Sequence, residues 1–250
     1  MLKYPISTLL YLAKLSIKDK IQDALRLKNN LDIRLTVTVK DKDGKIIKQH
    51  KQRSHSFVSN FLSILASSLS LPFSTAAASY AYGYYLRLTN GQYAAYNAGE
   101  YDCASVFDLH DAVNDSTYGI VVGIGTTPPT PNDYALENQI VNGTGSGQLI
   151  YGAHTINPAP QEIGSSTFVT TTTTPTSGLL PVSGNTTSWQ ISRTFQNQSG
   201  ASITVSEVGL YSEFCSSSNI VMLAHDLLSS AITIPNGGVM VITYTISVTT

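Results

Sequence analysis

The chain has 250 residues, of which 12% are charged, and a formal net charge of −1. A chain of this length buries roughly 70–75% of its unfolded surface, so its core needs no disulfide or metal staples. No apolar run reaches the ~18–20 residues of a transmembrane helix, and two cysteines are too few to infer a redox compartment. Ser, Thr, Gly, Asn and Tyr take the place of charge, as on β-sheets whose outer faces are solvated or docked. The small net charge conceals a segregation. Residues 1–53 hold 13 of the 15 Lys and Arg against five acids, or +8, whereas residues 54–250 hold Arg87 and Arg193 against 11 acids, or −9. Such asymmetry predicts a basic arm facing a polyanion or an acidic neighbour, the plainer alternative being a solvated Lys-rich helix and hairpin.

Ile6–Leu27 reads as an amphipathic helix within an N-terminal arm of residues 1–30. Leu9, Leu12, Ile17, Ile21, Ala24 and Leu25 share its apolar stripe. Lys14 cuts the first apolar run short and no small-residue cleavage site follows, which argues against a signal peptide. Leu31–Val39 alternates as a strand, and Asp41–Gly44 turns it into Lys45–Lys51. Asp41-x-Asp43 is not a calcium loop, because Gln52 stands where an EF-hand needs glutamate. Lys14, Lys18, Lys20, Arg26, Lys28, Lys40, Lys45, Lys48, Lys51 and Arg53 form the basic patch expected to face a partner or nucleic acid.

Phe57–Leu71 spaces Phe57, Phe61, Leu65 and Leu69 four apart, predicting a second helix capped by Ser54 or Ser56 and ended by Pro72. Residues 70–118 read as an irregular Tyr-rich insertion containing a hairpin, Tyr84–Leu88 with Tyr93–Tyr96. Glu100, Asp102, Asp108, Asp111 and Asp115 follow at loose spacing; they suit a solvated loop better than a calcium site. Tyr118–Ile124 is a short buried strand. Gly123-Ile-Gly125 lacks the third glycine of a dinucleotide loop. Thr130-Pro131-Asn-Asp133 predicts a helix start, and hence a short helix to Gln139. Gly143, Gly145 and Gly147 lead into a strand at Leu149–Ile156, and Thr170–Thr174 reads as an edge or linker. Asn114, Asn142, Asn185 and Asn197 sit in Asn-x-Ser/Thr triplets that permit glycosylation without indicating it.

The last quarter has the clearest pattern. Met240, Ile242, Tyr244, Ile246 and Val248 alternate with polar or small residues, behind Ala231–Ile234 and the turn Pro235-Asn-Gly-Gly238. This predicts one hairpin; Trp189–Phe195 and Ile203–Val208 around Ser199-Gly200 predict another. In that second hairpin Arg193 and Glu207 fall on one face, predicting a partly buried ion pair that fixes register.

Chemistry is sparse. The five histidines form no His-x-x-x-His cluster, and the neighbours His225 and Asp226 point to opposite faces of a strand. There is no Gly-x-Ser-x-Gly elbow or Walker loop, and no cofactor or metal is expected. Cys103 and Cys215 could pair or stay free.

The series Gly123-Ile-Gly125-Thr-Thr-Pro-Pro129, Asp133-Tyr-Ala-Leu136-Glu137, Phe195-Gln-Asn197-Gln-Ser-Gly200, Ile203-Thr-Val-Ser-Glu207-Val-Gly209-Leu210-Tyr211 and Met222-Leu-Ala-His-Asp226 ends in Ile234–Val248. Over about Tyr118 to Thr250 it resembles a structural module of tail, collar, neck and fibre-attachment proteins of bacterial and archaeal viruses. It is similar to the N-terminal module of phage tail-collar fibre proteins. The resemblance implies a non-enzymatic virion protein in a symmetric ring or trimer. Because the chain stops at Thr250 without a shaft, an adaptor or neck component near the portal or tail is the expectation. The expected fold is mainly β. It is a jelly-roll-like antiparallel β-sandwich over residues 31–250, with the N-terminal helix and one or two short helices. Expected partners are copies of itself and portal or tail proteins, with packaged DNA as a further contact for residues 1–53. The rival reading is a carbohydrate-binding or receptor-binding sandwich that uses Tyr80–Tyr85, Tyr93, Tyr96 and Tyr101 as stacking surfaces.

Overall fold

A computed structural model describes residues 31–54, 57–70, 84–96, 108–109, 112–158, 180, 182–214 and 216–249. The expected helix over 6–27, with Lys14, Lys18, Lys20, Arg26 and Lys28, lies outside them, as do Cys103, Cys215 and the threonine run. The described residues are mainly β. In chain order they form β1 (Leu31–Lys40), β2 (Ile46–Arg53), α1 (Ser59–Ser70), β3 (Tyr84–Arg87), β4 (Tyr93–Tyr96), β5 (Gly119–Gly123) and β6 (Ile150–Asn157). The series ends with β7 (Val182–Ser183), β8 (Thr186–Gln196), β9 (Ile203–Phe214), β10 (Ser216–Ile234) and β11 (Val239–Thr249).

The larger sheet runs β2-β1-β11-β8-β6 with β7 on the flank of β8; the smaller runs β10-β9-β5; β3 and β4 pair separately. All pairs between these strands are antiparallel. Period-two alternation produces the large sheet, because register lines up the inward residues of neighbouring strands. Leu35, Tyr244 and Ile191 form one row, and Val37, Ile242, Arg193 and His154 a second. Val39, Met240, Phe195 and Tyr151 form a third. All are buried, and the apolar ones share one hydrophobic core with Val205, Val208, Leu210, Met222, Ala224 and Ile232 of the smaller sheet. Each fully buried aliphatic or aromatic side chain there contributes about 1.5–3 kcal/mol.

Residues 220–226 of β10 are buried on both faces. Met222 and Ala224 face the main core, while Val221 and Leu223 pack beneath Ile64 of α1 and Leu86 and Leu88 of the β3 hairpin. Asn60, near the start of α1, binds this group together. Its amide donates to the carbonyls of Arg87 (2.8 Å) and Met222 (3.2 Å) and accepts from Arg87 N–H (2.9 Å). Helix α1 lies where its periodicity predicts, but Ser54 is not its cap: Ser54 Oγ donates to Asp226 instead. Among the described residues no helix is long and apolar enough to cross a membrane.

Two predicted hairpins are not hairpins. β8 and β11 belong to the large sheet and β9 and β10 to the small one, so residues 197–202 and 235–238 carry the chain from one sheet to the other. The turn chemistry is nevertheless present: Gly200 and Gly237 have φ of +85° and +79°, and Gly238 N–H donates to the Pro235 carbonyl at 2.9 Å. Such residues specify a reversal of direction but not the strand's partner. Asn197 joins the two crossings. Its main chain bonds Gly237 and Gly238, and its Nδ2 donates to the carbonyls of Ala201 and Ile234 at 2.8 and 2.9 Å. It is wholly buried, so this Asn-x-Ser triplet is no glycosylation acceptor.

The short helix expected over 131–139 is absent. Thr130 and Asp133 make the capping contacts, Thr130 Oγ1–H to Asp133 at 2.6 Å and Thr130 N–H at 2.9 Å. The following N–H groups bond elsewhere: Leu136 to Tyr211 OH, and Glu137 and Asn138 to the Glu207 carboxylate. Tertiary acceptors replace the i−4 carbonyls a helix would use.

Candidate functional site

Glu207 and His225 lie on adjacent strands, diagonally placed because His225 pairs Gly209 and Leu227 pairs Glu207. Both are buried. His225 Nε2 donates to Glu207 Oε2 at 3.1 Å and Nδ1 donates to Asp133 Oδ2 at 2.7 Å. Glu207 also accepts N–H bonds from Gly125 (2.9 Å), Asn138 (2.9 Å) and Glu137 (3.2 Å). The result is a carboxylate–imidazole–carboxylate clamp that fastens residues 124–138 onto the smaller sheet.

The environment sets the charges. Burial opposes ionisation of Glu207, but the His225 hydrogen bond and three backbone donors outweigh it and hold its carboxyl below the ordinary range. For Asp133 the hydroxyl and N–H of Thr130, together with His225, likewise outweigh burial and lower it. Burial alone would lower His225; the hydrogen bonds and charges of Glu207 and Asp133 exceed that effect and raise it. In its protonated form the ring donates from both nitrogens to the two carboxylates and has no lone pair with which to accept a substrate proton. In a Ser-His-Asp arrangement the second nitrogen faces a hydroxyl nucleophile; here it faces Glu207.

The glycines of Gly123-Ile-Gly125 serve this approach. A Cβ on Gly123 would lie 2.3 Å from Glu207 Oε1, and one on Gly125 would lie 2.6 Å from the same atom. The motif seats a carboxylate rather than a phosphate.

Arg193 and Glu207 are both buried, as expected, but they are not a pair, since β8 and β9 belong to different sheets. Arg193 donates from Nε to the Gly152 carbonyl (2.9 Å), from Nη1 to Tyr118 and Ile120 (3.0 and 3.1 Å), and from Nη2 to Ala112 and Asp115. Its guanidinium also faces the Tyr151 ring at 4.8 Å. It fastens residues 112–120 to the large sheet. Asp226 points away from His225, accepting from Ser54 Oγ (2.7 Å) and Tyr244 OH (2.8 Å).

The described part of the basic patch divides by strand face. Lys48, His50 and Gln52 alternate toward β10: Lys48 Nζ donates to the Ala231 carbonyl, Gln52 Nε2 to that of Leu227, and His50 meets Ser229 Oγ. Lys40, Lys51 and Arg53 belong to the opposite, outer face with Arg34. Asp32 pairs there with both Arg34 and Arg53. Lys45 is exposed beside the Asp41–Gly44 turn, whose N–H groups at Asp43 and Lys45 bond the Asp41 carboxylate.

Two concave or aromatic features remain. A groove of about 710 Å³ runs between residues 124–148 and 199–206, with Ile124 and Val141 exposed and no charged residue among the described ones that line it. On the β3–β4 hairpin, Tyr85 and Tyr93 are 71% and 66% exposed and share a face with Arg87. Of the acids at 100–115, only Asp108 and Asp115 are described. Among the described residues no group of three or more His, Cys, Asp or Glu is placed to hold a metal ion.

Comparison with protein-family models, curated proteins and solved structures finds no match.

Proposed function

We propose that the chain is a non-enzymatic virion structural protein. In this reading it is a jelly-roll-like β-sandwich that docks against copies of itself and against portal, neck or tail neighbours. The observation that carries the reading is the outer face of the large sheet. Thr36 and Thr38 of β1, Thr243, Thr245 and Ser247 of β11, and Ser192 and Thr194 of β8 stand side by side in register. Arg34, Lys40, Lys51 and Arg53 give the same face a cationic margin. Short hydroxyl side chains lose little rotamer entropy when covered, which suits a surface made to be buried between proteins. The side chains of Arg193, Glu207, His225 and Asp226, by contrast, are engaged inside the molecule.

Native mass spectrometry of the purified full-length chain tests the reading: discrete oligomers free of nucleic acid are expected, and a monomer at all concentrations would refute it. DNA contact through residues 1–53 is a separate arm of the experiment. It would weaken steeply with salt and vanish when those residues are removed. The exposed tyrosines Tyr85 and Tyr93 favour a second reading, a carbohydrate-binding surface on such a protein.

A further inference from the structure

Arg87 and Arg193 are the two arginines beyond residue 53, where the sequence has no lysine. Arg193 is fully engaged; Arg87 is not. The Arg87 guanidinium lies 3.7 Å from the centre of the Tyr134 ring and 5.9 Å from that of Tyr93. Its Nε is buried without a hydrogen-bond partner, and the head group makes no ion pair among the described residues. Three features hold it in place. Asn60 takes both main-chain polar groups of Arg87. Tyr134 follows Asp133 of the clamp, and its ring packs over the 89–92 turn, 3.7 Å from where a Cβ on Gly91 would stand. Tyr93 is the direct cross-strand partner of Arg87, and Tyr85 precedes Arg87 by two residues, so both tyrosines stand on its face.

We propose that this face of the β3–β4 hairpin binds a sugar acid, a pyranose ring carrying a carboxylate. The inference deepens the carbohydrate reading and rests on it for the stacking role of Tyr85 and Tyr93. Nε is covered, so the two Nη groups supply the paired N–H donors a carboxylate accepts, and the tyrosine faces take the C–H surface of the ring. A nucleic-acid strand needs a cationic groove that follows its backbone. Among the described residues one guanidinium stands on this face of the hairpin, so the ligand is a single anion rather than a polyanion.

Calorimetric titration of the full-length protein with glucuronate, N-acetylneuraminate, neutral methyl glucoside and inorganic phosphate tests the proposal. Sugar acids are expected to bind with millimolar Kd, and at least about ten-fold more tightly than methyl glucoside or phosphate. Arg87→Met and Tyr93→Ala should each weaken that binding at least about ten-fold with the melting temperature unchanged. Arg87→Lys, which keeps the charge but loses the fork, should weaken it less than Met does. Equal binding of sugar acids and methyl glucoside would overturn the role of Arg87 and leave the carbohydrate reading standing. Binding of neither would overturn both. Phosphate binding as tight as that of glucuronate would reduce the site to a general anion contact and overturn the sugar.

Discussion

His225 donates to two carboxylates at once, and the sign of its effect on stability follows from that. Its pKa is raised on folding, so its contribution is complete below the ordinary imidazole value of 6.5 and is lost as pH rises through the folded value. Asp133 and Glu207 are lowered from 3.8 and 4.5, so theirs is complete above those values and is lost as pH falls through the folded ones. The clamp therefore stabilises fully between about pH 4.5 and 6.5. A melting series should show wild type losing stability above pH 6.5, with that limb missing in His225→Gln; a level wild-type profile from pH 6 to 9 would refute the clamp. At pH 6 the substitution should cost about 3–5 kcal/mol, since it removes the cation between two carboxylates and leaves them only neutral donors. Gly125→Ala should cost about 1–3 kcal/mol in urea denaturation, because its Cβ would lie 2.6 Å from both Glu207 Oε1 and Glu137 Cβ. Of this site, sequence pattern reveals that Glu207 is buried and needs a partner, from its alternation with Ile203 and Val205. It cannot reveal His225, because the diagonal contact exists only once β10 is known to pair β9.

The same limit operates on whole elements. Strands β1, β2, β5, β6, β8, β9 and β11, the β3–β4 hairpin and α1 are legible because periodicity is a property of each segment alone. Which strand pairs which is not. The turns around Gly200 and Pro235–Gly238 carry strong reversal signals, yet the strands they join enter different sheets. At residues 131–139 a sound capping pattern is overridden by the carboxylate of Glu207 and the hydroxyl of Tyr211, some 70 residues downstream. Asn197 is the counterpart at the crossings, where one amide holds two loops. Asn197→Ala strips donors from the carbonyls of Ala201 and Ile234 and should cost about 2–4 kcal/mol. Asn197→Asp should be no better, since it sets a carboxylate against two carbonyl oxygens. Urea denaturation measures both, and recovery of wild-type stability by Asp would refute the role of Nδ2.

For the whole molecule the segregation of charge is smaller than composition suggests. Of the 11 acids beyond residue 53, Asp133 and Glu207 are bridged by His225, and Asp226 is buried against Ser54 and Tyr244. Three acids are thus withdrawn from any electrostatic contact between copies. On the basic side Lys48 is tied to Ala231 within the molecule, whereas Lys51 and Arg53 belong to the outer face of β2. That division separates docking from folding. Lys40→Glu with Lys51→Glu reverses charge on that outer face and leaves the ion pairs of Asp32 intact, so the melting temperature should barely change, surface substitutions being worth about 0.5 kcal/mol or less. If the outer face docks a second copy, the same double variant should shift the mass measured by light scattering toward monomer. Raising salt from about 50 to 500 mM should shift wild type in the same direction, because such contacts are screened within about 10 Å at 0.1 M. Lys48→Glu removes an exposed donor to Ala231 on the other face of β2, so it should leave the mass of the folded protein unchanged, with at most a small fall in melting temperature. An unchanged oligomer in the double variant would show that this face is not the interface, whatever the behaviour of Lys48.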